Sequence, residues 1–161
     1  MRHAKAVPYE PGADHERALA ERGRVDAERV GDALGEAGAV PDLVLCSTAT
    51  RTRETLECAA GAIGDATEVS FEPRIYGASV GELLSVIQAV GDEVNTLMLV
   101  GHNPGTQMLA VALAADGDQI EPLRVKFPTA GVADLRFEGA WADVAPMRCE
   151  LAGFLDPRAF R

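Results

Sequence analysis

The chain is short of cysteine and of positive charge, and it holds no long apolar run, internal repeat or low-complexity segment. Each shortage removes a class of protein. Only Cys46, Cys58 and Cys149 are present, an odd number at irregular spacing with no C-x-x-C pair. That argues against a disulfide framework and a zinc site, and makes free thiols, buried in a reducing cytoplasm, the expectation. No stretch approaches the roughly 20 apolar residues of a membrane-spanning helix, and no signal peptide is read at the start. Lys and Arg number 15 against 25 Asp and Glu, a formal net charge of −10. Such a field disfavours nucleic acid and membranes as partners, yet it leaves room for a local basic pocket.

What remains is an ordinary globular composition. The 161 residues are 47% hydrophobic and 25% charged, enough for one domain over residues 1–161 with its own core. Ala27, Val30, Leu34 and Ala37 recur at helical spacing, and Gly38 supplies a stop. Asp42–Ser47 is an apolar run of strand length. A helix is expected from about Ala49, burying Leu56, Ala59, Ala60 and Ile63, and Glu68–Phe71 alternates as a strand does. Val80, Leu83, Leu84, Ile87 and Val90 mark an amphipathic helix opened by a Ser79/Glu82 capping box. Thr96–Gly101 reads as a buried strand, followed by a helix with Asn103 as N-cap and Pro104 at its first position. Two late strands fall in VADLRF and MRCELAGF. Strands alternating with helices predict an α/β three-layer sandwich, a mostly parallel central sheet flanked by helices.

The chemistry-bearing side chains fall at the ends of these strands. Arg51 lies in the first turn of the helix after one strand, and His102 at the tip of another. Ligands of open α/β sheets bind beyond the carboxyl ends of the strands, where helix N-termini offer free N–H groups. Arg2 and His3 would join them if a strand led into that pair. Alone, each has a plainer explanation: a structural histidine, a surface arginine such as Arg53, a turn at GHNPG. Together, two arginines and two histidines converging on one sheet edge describe an anion pocket, most naturally for phosphate.

Four blocks in order carry a resemblance. MRHAKA is similar to the R-H-A form of the R-H-G motif of the histidine phosphatase superfamily, and the segment from Asp14 to Gly31 to its D-x-x-R-x-L-x-x-x-G stretch. LVLCSTATRTRET matches S-P-x-x-R-x-x-x-T with Thr48 in place of proline, and VGHNPG follows; YGAS, KFPTAG and Trp141 extend the likeness over nearly the whole chain. The chain most resembles the small SixA-type phosphohistidine phosphatases. This implies a phosphoglycerate mutase-like fold and a cytoplasmic, monomeric hydrolase needing neither metal nor cofactor. His3 would be the nucleophile, with Arg2, Arg51 and His102 as catalytic and phosphate-clamping residues and Asn103 beside them in the binding set. The partner would be a phosphohistidine-bearing protein or a small phosphorylated molecule.

Two departures shape the expected function. Many relatives carry a glutamate acid four residues before the glycine that is Gly77 here, but that position is Pro73, with Glu72 displaced by one. Glu82 is assigned to the capping box, and Asp14 with Arg17 to ordering the first loop as an ion pair. An alkoxide leaving group needs a proton, worth about 10²–10⁴-fold. A departing imidazole, with a free pKa of about 6.5, needs little help. Phosphohistidine is therefore the expected substrate, with a broad phosphomonoesterase and a catalytically weak phosphate- or phosphoprotein-binding module as alternatives. The second departure is that the family's first framework strand is missing before Arg2. Losing about five apolar strand residues, at about 1.5–3 kcal/mol each, would rival a domain's whole stability of about 5–15 kcal/mol. The expectation is either a natural start upstream of Met1 or another segment filling that place.

Overall fold

The computed structural model describes residues 1–9 and 11–160. Its centre is β1 (Leu43–Cys46), paired in parallel with β2 (Glu68–Phe71) on one side and β3 (Leu97–Val100) on the other. Successive side chains of a strand point to opposite faces. Val44 and Cys46 accordingly pack with Ala27 and Val30 of α1 (Glu21–Glu36) and Leu56 of α2 (Thr50–Cys58). Leu43 and Leu45 meet Leu83, Val86 and Ile87 of α3 (Val80–Gln88) and Leu109 and Leu113 of α4 (Gly105–Leu113). The apolar run of β1 is thus explained by burial on both faces, and the three expected layers are present.

A second ladder has the order β4 (Ala114–Asp116), β6 (Cys149–Leu155), β5 (Val132–Arg136), with β4 parallel and β5 antiparallel to β6. Neither β4 nor α5 (Ile120–Val125) is legible in the sequence. Three and six residues are too few to show a period.

Met1–Ala4 join the two ladders. Gly101 N–H donates to the Met1 carbonyl at 3.0 Å, and His3 N–H to Gly101 at 3.0 Å. On the other side Arg2 N–H donates to Gly131 at 3.0 Å, and Ala130 N–H to the His3 carbonyl at 3.1 Å. The Arg-His pair is therefore held beside the carboxyl end of β3 from both flanks.

Two local expectations, at Ala60 and Asn103, need correction, and one boundary is added. Helix α1 starts at Glu21, well before its apolar period, because its first turn packs against the backbone: a Cβ on Gly23 would lie 2.1 Å from the Lys5 carbonyl oxygen. Its stop is as expected, Gly38 being left-handed at φ 68°. Ala60 is exposed, since α2 gives way to a single 3-10 turn over Ala60–Ala62. Asn103 does not cap α4. Pro104 holds the cap position, the helix begins at Gly105, and the Asn103 amide is turned toward Gln107 and Phe127. The Ser79/Glu82 capping box is formed in full. All three cysteines are free thiols; Cys46 and Cys149 are buried and Cys58 partly so. Among the described residues no helix is long and apolar enough to cross a membrane.

Candidate active site

Ser47 directly follows β1, Arg51 lies in the first turn of α2, and His102 stands just past β3. With His3 on the seam, all four sit at the carboxyl edge of the parallel ladder. His3 and Arg51 are only 8% and 5% exposed. The rings of His3 and His102 lie 5.2 Å apart, centroid to centroid. His3 Nδ1 is 2.7 Å from the Ala4 carbonyl oxygen. A carbonyl only accepts, so Nδ1 carries the proton and Nε2 keeps its lone pair. His102 Nε2 is 2.8 Å from the Ser47 hydroxyl, while its buried Nδ1 has no partner.

The cations are anchored and only partly satisfied. Arg2 donates through Nη1 to the Phe127 carbonyl at 2.6 Å, and Asn103 Nδ2 donates to the same oxygen at 3.3 Å and to Gln107 Oε1 at 3.1 Å. Arg51 donates through Nη1 to the Asp14 carbonyl at 2.5 Å and through Nη2 to Asp14 Oδ2 at 3.0 Å. The Nε donors of Arg2 and Arg51 are buried without protein partners, as is the acceptor Oδ1 of Asn103. A buried donor left unmade costs about 1–3 kcal/mol. Two orphaned guanidinium donors at one sheet edge suit an anion with several oxygens.

Burial, followed by the nearby Arg51 and Arg2 cations, pushes the His3 pKa down to about 4, against the opposing bond to Ala4. Burial, then His3 and Arg51, push His102 down to about 3. Both rings are neutral at pH 7. In the unfolded chain they titrate near 6.5. Below that value the unfolded state binds protons that the folded state refuses, so stability is full above pH 6.5 and falls as the pH drops toward 4. Denaturant midpoints measured across that window should decline with acidification, and His102→Gln should make the decline shallower. An identical slope in wild type and variant would contradict the buried neutral ring.

Several contacts around the site have no signal in the sequence. Asp14 and Arg17 form the expected ion pair at 3.0 Å, but Asp14 also holds Arg51 and accepts the Tyr76 hydroxyl at 2.7 Å. Tyr76 meets His102 edge-on at 5.3 Å and His15 at 4.9 Å. Thr48, in the place of the usual proline, lies 3.0 Å from His15 Nε2, a bond proline could not form. Only a shared position at the sheet edge unites residues so scattered along the chain. Arg53 turns away, donating to the Thr48 carbonyl and lying over the Phe71 ring. Glu72 accepts from the Arg74 backbone and guanidinium, and Glu82 from Ser79. Among the described residues, no group of three or more His, Cys, Asp or Glu side chains could hold a metal ion.

Residues 1–89 match the model of the histidine phosphatase superfamily, branch 1. An uncharacterised protein of Mycobacterium tuberculosis is 44% identical over 162 residues, spanning 98% of this chain and 100% of the relative. Among solved structures, a protein of Nakamurella multipartitia assigned as the phosphohistidine phosphatase SixA is 31% identical, with a TM-score of 0.86 over 98% of this chain and 93% of that one. Its Agrobacterium tumefaciens counterpart, assigned likewise, is 34% identical, with a TM-score of 0.82 over 98% and 95%.

Proposed function

Because the chain belongs to the histidine phosphatase superfamily, branch 1, and shares the phosphoglycerate mutase-like fold of the SixA structures, we propose that it is a metal-independent phosphatase that removes phosphate from phosphohistidine in proteins. The observation that carries this is the state of His3: neutral, with Nδ1–H on the Ala4 carbonyl and Nε2 free to attack. Attack on phosphorus by Nε2 displaces the substrate's leaving group and forms a phosphohistidine, which water then hydrolyses. Arg2, Arg51 and His102 spread the charge of the transferring group, with Asn103 at its edge. Catalysis is then chiefly positioning and electrostatics.

The substrate class follows from the carboxylates. The bond to Arg74 holds Glu72 below the usual carboxylate range, and the Ser79 backbone and hydroxyl do the same to Glu82. Neither has a proton to give at neutral pH. A phosphorylated imidazole leaves without one; an alkoxide does not. kcat/KM should therefore favour phosphohistidine and phosphoramidate over alkyl phosphates, with and without a chelator. Glu72→Gln and Glu82→Gln should each change the preference by less than about tenfold, below the low end of acid catalysis. Efficient alkyl phosphate hydrolysis that collapses in one Gln variant would overturn the phosphohistidine assignment in favour of a phosphomonoesterase.

A further inference from the structure

We infer that Asp14 serves the second half of the reaction, holding the water that hydrolyses the His3 phosphoenzyme and receiving its proton. The inference rests on the phosphatase reading above and extends it to a residue whose sequence context suggested only loop ordering.

Geometry singles out Asp14. Its carboxylate shares a guanidinium with the anion pocket, since Arg51 Nη2 donates to Oδ2 at 3.0 Å. Tyr76, edge-on to His102, donates to the same oxygen at 2.7 Å, and Arg17 lies 3.0 Å from Oδ1. A carboxylate offers about four acceptor positions. Arg17, Arg51 and Tyr76 fill three, and the side chain is 33% exposed, so solvent reaches the remaining one. The other nearby carboxylates, Glu72 and Glu82, are turned to Arg74 and Ser79. The Tyr76 hydroxyl is directed at Asp14 and, raised by that bond, stays protonated.

The charge state separates the two half-reactions. The Tyr76 hydrogen bond, then Arg51 and Arg17, lower the Asp14 pKa, so the group is ionised near neutrality. An ionised carboxylate has no proton for a leaving group, but it can orient water and accept a proton. In the step, the water oxygen bonds to phosphorus as the P–Nε2 bond of His3 breaks, and that bonding pair returns to Nε2. One water proton passes to Asp14; hydrogen phosphate leaves, and Asp14 then releases the proton to solvent. In a loose phosphoryl-transfer transition state, placing the water matters more than the strength of the base.

The test uses the full chain and radiolabelled phosphoramidate as phosphodonor, with rapid-quench measurement of phosphoenzyme formation and decay. Asp14→Asn should slow decay by at least about tenfold while formation stays within about threefold, so that phosphoenzyme accumulates. Wild-type decay should weaken as acid protonates Asp14, and the Asn variant should lose that dependence; Asp14→Glu should recover part of the decay rate. Retained formation reports that the variant is folded. Equal losses in formation and decay would reduce Asp14 to an anchor for Arg51, and unchanged decay would likewise overturn the inference. A wild-type enzyme that never becomes labelled would instead sink the phosphatase reading, and the inference with it.

Discussion

His3→Ala should abolish turnover and the phosphoenzyme together while leaving the fold intact. His3 holds its Nδ1–H on the Ala4 carbonyl and keeps Nε2 free, whereas His102 turns Nε2 to Ser47, buries its unpartnered Nδ1 and is the less basic of the two rings. The fold should tolerate the change because residue 3 is held by its backbone, through Gly101 on one flank and Ala130 on the other. Loss of the nucleophile removes the covalent route itself, so no residual burst is expected. The measurement is phosphodonor turnover together with acid-labile label on the protein, with circular dichroism as the check on folding. Wild-type-like activity would end the assignment. His102→Ala should be severe but leave slow labelling of His3, since it stabilises the transferring group without bonding to it.

The second large effect is expected at Arg51. Its guanidinium is almost fully buried, anchored through Nη1 and Nη2 on Asp14, with Nε unpartnered. Removing one preorganised donor of developing charge typically costs about 10²–10³-fold. Arg51→Ala should lower kcat/KM by at least that much. Arg51→Lys should still lose at least about tenfold, or 1.4 kcal/mol, because an ammonium cannot span the same two oxygens. Arg53→Ala should matter far less, as that side chain lies on Phe71 and the Thr48 carbonyl, outside the pocket. Equal losses at both positions would show that the wrong arginine of the pair has been assigned.

β1 and β3 were legible because packing on two faces leaves unbroken apolar runs, β2, largely exposed, from its alternation alone, and the helices because burying one face leaves a period. The Ser79 box was legible because both partners lie within one turn. Asn103 misled because Asn is a favoured N-cap and Pro a favoured first helical residue; here its amide is engaged by Gln107 and Phe127, contacts set by tertiary packing. The positions of Arg51 and His102 followed from their places at strand ends, while His3, with no strand leading into it, was marked only by the likeness of MRHAKA to the R-H-A motif. The setting of Asp14 did not. Its partners Tyr76 and Arg51 are distant in sequence, and nothing local distinguishes a carboxylate that orders a loop from one that also reaches the site.

The seam at Met1–Ala4 bears on the order in which the molecule comes together. The Met1 amino group bonds to Leu99 and the Arg2 side chain to Phe127, contacts separated by 98 and 125 residues along the chain. Closing such long loops is entropically costly, and contacts of this kind form slowly during folding. β1 and β2 can pair over much shorter loops, as can β5 and β6, before anything holds His3. His3, the proposed nucleophile, is therefore among the last parts to be seated. A chain that has built either half-sheet alone carries every side chain of the proposed site yet has not assembled it, and on the proposed mechanism recovery of labelling at His3 would mark completion of the fold.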